Sequence, residues 1–109
     1  MPTVEAEPMG LVGPIMQQGD MADVVLEGIR IDNPGSEVHV ADETSYVRIH
    51  TPGRCRITRT TLSELLGRPS ELTELEPHMS FFSGHISTSS EEMVWELRRS
   101  GASGQGGRS

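Results

Sequence analysis

Lysine is absent, cysteine occurs once, and no apolar run approaches the ~20 residues of a membrane-spanning helix. Each shortage removes a class of protein. Sixteen acidic residues stand against nine basic ones, all arginine, for a net charge of -7 over 109 residues. That balance argues against a nucleic-acid or anionic-membrane surface and fits a basic protein partner. The single Cys55 rules out an internal disulfide and cannot alone build a thiolate metal site, so a reducing cytoplasm is the expected location. The N-terminal MPTVEAEPMG lacks the basic-then-apolar order of a secretory signal. His39, His50, His78 and His85 lack the close spacing of metal ligands and read as exposed strand residues, so no metal is expected. No glycine-rich loop leads a strand into a helix, which removes the usual phosphate cradle.

What is present begins with TTLSELLGRP at residues 60–69. Thr61 followed by Glu64 has capping-box spacing, Leu62, Leu65 and Leu66 share a face, Gly67 can end the helix in the left-handed conformation, and Pro69 cannot continue it. So short a helix is not stable alone in water, and its leucines must be packed on a sheet. A second helix opens at Asp20, whose side chain is placed to cap it, with Met21, Val24, Val25 and Ile29 as its apolar stripe.

Before that helix lies a short apolar run, Leu11, Val12 and Ile15, with Pro14 pointing to an edge strand or a strand end. After it, Asp32-Asn33-Pro34-Gly35 is a turn, since proline presets the first central position and glycine supplies the positive φ of the second. Alternating patterns predict strands around Val38 and Val40, over 46–50, around Cys55 and Ile57, over 79–86, and through Met93, Trp95 and Leu97. The stretch 71–78 reads as a loop with a half-turn that tucks Leu72 and Leu75 inward. The order strand, helix, two strands occurs twice. It predicts an α+β domain of two β-α-β-β units, a mostly antiparallel sheet packed against two short helices. The domain is expected over 11–99, between a flexible tail at 1–10 and a disordered one at 100–109.

Two features point to a surface with a task. Arg48, Arg54, Arg56, Arg59 and Arg68 crowd into one stretch of an acidic chain, and arginine is enriched in protein interfaces. In Ser80-Phe81-Phe82-Ser83-Gly84, adjacent phenylalanines on a strand face opposite ways, so a core Phe81 leaves Phe82 as an exposed docking point. Two further readings compete with docking. One is a small-ligand-binding module on a ferredoxin-like sheet, and the other a small enzyme using Cys55 with His50, although Cys55 also fits as a small apolar core residue.

The segments VGPIMQQGD, IDNPGSEVHV, YVRI, TLSELLGRP and ELEPHMSFFSGHI, in this order and spacing, resemble the effector (coupling or regulatory) proteins of soluble diiron monooxygenases. The likeness is greatest to those of the toluene, phenol and alkene monooxygenases, and runs from about Val12 to Leu97. It implies the same α+β fold, no cofactor or catalytic residue of the chain's own, and a diiron hydroxylase component as partner. By the same resemblance, binding reshapes the hydroxylase active site and couples oxygen activation and electron delivery to hydrocarbon oxidation. The residues so expected to meet the partner are Asn33, Pro34, Gly35, Ser80, Phe82, Ser83 and Gly84, with Arg68 of the arginine cluster. The free chain is expected to be a monomer.

Overall fold

The computed structural model describes residues 10–97. Apart from Gly10, both expected tails lie outside the described residues. In order the elements are β1 (Leu11–Gln17), α1 (Asp20–Asp32), β2 (His39–Asp42), β3 (Tyr46–Pro52), β4 (Arg54–Thr58), α2 (Arg59–Leu66), a 3-10 helix (Leu72–His78), β5 (Met79–Ser83), β6 (His85–Thr88) and β7 (Glu92–Glu96). Every strand pair is antiparallel, and the α+β class stands.

The strands make two sheets, where one was expected: a four-stranded sheet ordered β2-β3-β1-β5 and a three-stranded sheet ordered β4-β7-β6. The chain passes from the first to the second at Gly53 and again at Gly84, with φ of 77° and 100°. The strand predicted over 79–86 is therefore two strands in different sheets, and the second half of the chain carries one strand more than a β-α-β-β unit. Leu97 lies beyond the end of β7 and is half-exposed.

The helices form where the apolar stripes place them, but two caps differ from expectation. α2 is capped by Thr58, whose hydroxyl accepts from the Thr61 N–H at 3.2 Å. The predicted cap, Thr61, lies inside the helix and is buried. Gly67 does end α2 in the left-handed conformation, with φ of 74°. At α1 the cap position is Gly19 and no side chain bonds there, so Asp20 contributes its charge to the first turn without capping it. The capping box belongs instead to Glu71 and Glu74, which turn the predicted half-turn into a 3-10 helix that buries Leu72 and Leu75.

Pro14 sits in the middle of β1, an interior strand, and so at neither the edge strand nor the strand end expected for it. The β1–β3 ladder pairs Val12 with Thr51 and Ile15 with Arg48, and skips the two residues between. Proline has no N–H to give, so Pro14 adds no donor of its own to the interruption. Gly13 beside it has φ of 145°, and a Cβ there would lie 2.2 Å from the Ile49 carbonyl oxygen. The backbones meet too closely for any other residue.

One core joins both sheets and helices. Val12, Met16, Val47 and Ile49 of the first sheet meet Val25 and Ile29 of α1, Leu62 of α2, and Ile57, Met93 and Trp95 of the second sheet. Each such side chain contributes about 1.5–3 kcal/mol when fully buried, which stabilises a helix as short as α2. Among the described residues, no helix is long and apolar enough to cross a membrane.

Candidate docking surface

The candidate strand is shaped by one extra residue. β5 pairs Ser83 with Gly13, Phe82 with Pro14 and Phe81 with Ile15, then Met79 with Met16, so Ser80 is left over in a bulge. From the core-facing Met79, strict alternation would send Phe81 inward. The bulge reverses the parity. Phe81 is 66% exposed, while Phe82 is half-buried against the core. The expected roles are exchanged, although the two rings still stack at a centroid distance of 5.8 Å.

Gly84 was expected to meet the partner, which requires room beside its Cα. Its own chain already fills that room: a Cβ would lie 2.8 Å from Val12 Cγ1 and 2.9 Å from the Glu96 carbonyl oxygen. Glycine is required there by the packing of β5 and β6 across β1 and β7. Ser80 is exposed and Ser83 half-buried, both beside Phe81 and Phe82.

Opposed residues in antiparallel strands share a face, so the register draws a line across the first sheet. Ala41 opposes Arg48, Arg48 opposes Ile15, and Ile15 opposes Phe81. Tyr46, opposite Gln17, lies on the same face two residues along β3. Ala41, Tyr46, Arg48 and Phe81 are all exposed. This is the face turned away from Val12, Met16, Val47 and Ile49, on whose side the helices pack. Ile15, in the middle of the line, is itself buried, so the outward surface is made by the side chains around it, and exposed aromatic and arginine side chains together have the composition of interface cores.

The 32–35 turn divides by role. Ser36 N–H bonds the Asn33 carbonyl at 3.1 Å and Gly35 has φ of 84°, as the turn signal requires. Pro34 and Gly35 are exposed. Asn33 is buried, and its amide is occupied inside the chain. It donates to the Ile29 and Arg56 carbonyls at 2.6 and 2.8 Å and accepts from the Arg56 N–H at 3.0 Å. Asp32 accepts from the Thr58 N–H at 2.8 Å, the Thr58 hydroxyl at 3.0 Å and the Thr61 hydroxyl at 2.8 Å. The pair fastens the end of α1 to β4 and to the start of α2.

The arginine cluster is neutralised within the chain. Arg48 meets Glu43, Arg54 meets Glu96, Arg56 meets Glu92, Arg59 meets Glu91 and Arg68 meets Glu74, at 2.9–3.8 Å. Arg68, expected to meet a partner, is exposed but engaged. Its hydrogen bond, with the backbone bond from Glu71, holds the Glu74 carboxyl below the usual carboxylate range.

Cys55 is fully buried, and burial pushes its thiol up to about 11 against a weaker opposing pull from the Thr51 hydroxyl. A thiol held neutral at that level is no nucleophile near pH 7. His50 is buried as well, contrary to the exposed position expected for it. Among the described residues no group of three or more His, Cys, Asp or Glu is placed to hold a metal ion.

Residues 10–96 match the model of the MmoB/DmpM family. The chain is 46% identical over 93 residues to the effector subunit of the alkene monooxygenase system of Xanthobacter autotrophicus, covering 85% of this chain and 92% of that protein. The fold matches a chain of a solved phenol hydroxylase–regulatory protein complex with TM-score 0.73 at 24% identity, covering 81% of this chain and 99% of that one. A second structure of such a complex gives 0.68 at 26% identity, covering 80% and 99%. The soluble methane monooxygenase regulatory protein B gives 0.64 at 22%, covering 87% and 70%. With a family match spanning nearly all the described residues and a regulatory relative aligned over most of its length, this chain belongs to the MmoB/DmpM family.

Proposed function

We propose that the chain is the non-catalytic effector subunit of a soluble diiron monooxygenase. It binds the hydroxylase component, reshapes its active site, and couples oxygen activation and electron delivery to hydroxylation or epoxidation of a hydrocarbon. An alkene is the substrate class favoured by the 46% identity to an alkene monooxygenase effector, and that identity is the observation that carries the reading. The neutral, buried Cys55 thiol gives no support to a catalytic role of the chain's own.

An effector without reactive groups acts through its docking energy. It must bind one hydroxylase conformation more tightly than another, since equal affinity for both would shift nothing. Phe81, with the exposed Tyr46, Arg48 and Ala41 of the same face, is the surface best suited to supply that energy, and the exposed Pro34-Gly35 turn is a second point of approach. The domain occupies 11–99 as a free monomer in the cytoplasm.

Reconstitution tests the function. Adding this chain to the hydroxylase and its reductase should raise oxygenated product per electron consumed, and the chain alone should oxidise nothing. A product yield unaffected by stoichiometric effector would overturn the reading.

A further inference from the structure

β5 and β6 are the terminal strands of their two sheets, and the chain bends from one to the other at Gly84 with φ of 100°. Their divergence leaves a groove of about 340 Å³, at the small end of the ~300–1,000 Å³ range of ligand pockets. Met79, Phe82 and Ile86, all half-buried against the core, line it together with the exposed Phe81. Glu76, Ser80 and Thr88 are the exposed polar residues beside them, and Glu76 is the charged one.

The charges around the groove name its occupant. Five arginines are paired with carboxylates of the chain, but among the described residues no ion pair includes Glu76. An uncompensated carboxylate beside an apolar recess is complementary to an apolar side chain with a cation next to it. The strand edges favour side-chain insertion over backbone pairing. β5 has five residues with a bulge at Ser80, β6 has four, and the bend separates them, so no continuous edge is offered to an added strand. On a helix, residues three or four apart share a face, so one helix can present an apolar and a basic side chain side by side.

We propose that this groove receives an apolar side chain from a helix of the hydroxylase component, with an arginine or lysine one turn away meeting Glu76. The proposal rests on the effector reading above and adds the chemistry of the contact.

The test measures the Kd of Glu76→Gln, Thr88→Trp and, as a remote control, Glu64→Gln for the purified hydroxylase component at low and high salt. Glu76→Gln should raise Kd about 5-fold at low salt and flatten its salt dependence, because a lost charge pair acts on the electrostatic part of binding. Thr88→Trp should fill the groove and raise Kd by more than about 10-fold, with the melting temperature unchanged. Glu64→Gln should match wild type. The groove proposal is overturned if Glu76→Gln stays within twofold of wild type, or if Glu64→Gln weakens binding equally. Either result leaves the effector reading intact so long as wild type still binds. Failure of wild type to bind or to change coupling would instead remove the effector reading itself.

Discussion

The Thr61 hydroxyl in the first turn of α2 donates to Asp32 Oδ1 in the last turn of α1 over 2.8 Å. Through this bond the two helices are locked to each other independently of their apolar contacts. Asp32 also places its carboxylate at the positive N-terminal end of α2 and holds Thr58, the residue that caps that helix.

Asp32→Ala should therefore cost about 2–4 kcal/mol of stability, since it leaves the Thr58 N–H and both hydroxyls without their charged acceptor. Asp32→Asn should recover little, because it replaces one accepting oxygen with a donor that faces other donors. Urea unfolding of the three proteins measures this. A loss under about 0.5 kcal/mol for Asp32→Ala would refute the clamp.

Gly84→Ala should destabilise by about 2–4 kcal/mol. It adds the ~1–2 kcal/mol penalty of a side chain at positive φ to contacts at 2.8 and 2.9 Å with Val12 Cγ1 and the Glu96 carbonyl. A melting temperature equal to wild type with weakened hydroxylase binding would return Gly84 to the role of a contact residue.

What is legible in the sequence is what is decided locally. The apolar stripe of α2, its stop at Gly67 and the Asn33-Pro34-Gly35 turn each depend on residues within a few positions. The cap is different: Thr58 and Thr61 are both threonines near the start of the same helix, and the choice between them depends on Asp32, 26 and 29 positions away. The partners of Arg54, Arg56 and Arg59 lie 42, 36 and 32 positions along the chain, so a cluster that looks available for binding is already occupied. At the candidate site, alternation correctly sends the two phenylalanines different ways. Which one faces out depends on the Ser80 bulge, and a bulge is a property of the pairing with β1.

Cys55 gives a pH dependence whose sign follows from its burial. The folded-state thiol, at about 11, lies above the ordinary thiol value of 9.0 that holds in the unfolded chain, so the unfolded chain releases its proton first. The resulting stability is fully present below pH 9 and is lost as the pH rises toward 11, by roughly 2–3 kcal/mol on the linkage relation. Cys55→Ala should be less stable than wild type at pH 8, by the cost of the lost packing, but should fall less between pH 8 and pH 10.5. Urea midpoints at the two pH values give the comparison, and parallel losses would rule out the thiol as the source.

Phe81 and Phe82 separate docking from folding. Phe81 is 66% exposed and lies on the outer line with Ile15 and Arg48, so its truncation removes little that the fold needs. Phe81→Ala should cost under about 1 kcal/mol of stability while weakening hydroxylase binding by roughly 1–3 kcal/mol, the size of an interface anchor. Phe82 packs against the core from a half-buried position opposite Pro14. Phe82→Ala should therefore lose about 2–3 kcal/mol of stability, below the ~3–5 kcal/mol of a fully buried phenylalanine. Its ring also lines the groove beside Glu76, so some affinity should fall with it. The distinguishing quantity is the ratio of binding loss to stability loss, high for Phe81→Ala and low for Phe82→Ala. Unfolding midpoints and hydroxylase affinities of the two variants measure it. The opposite order of the two ratios would mean that β5 in solution lacks the bulge at Ser80 and that Phe82 faces the partner.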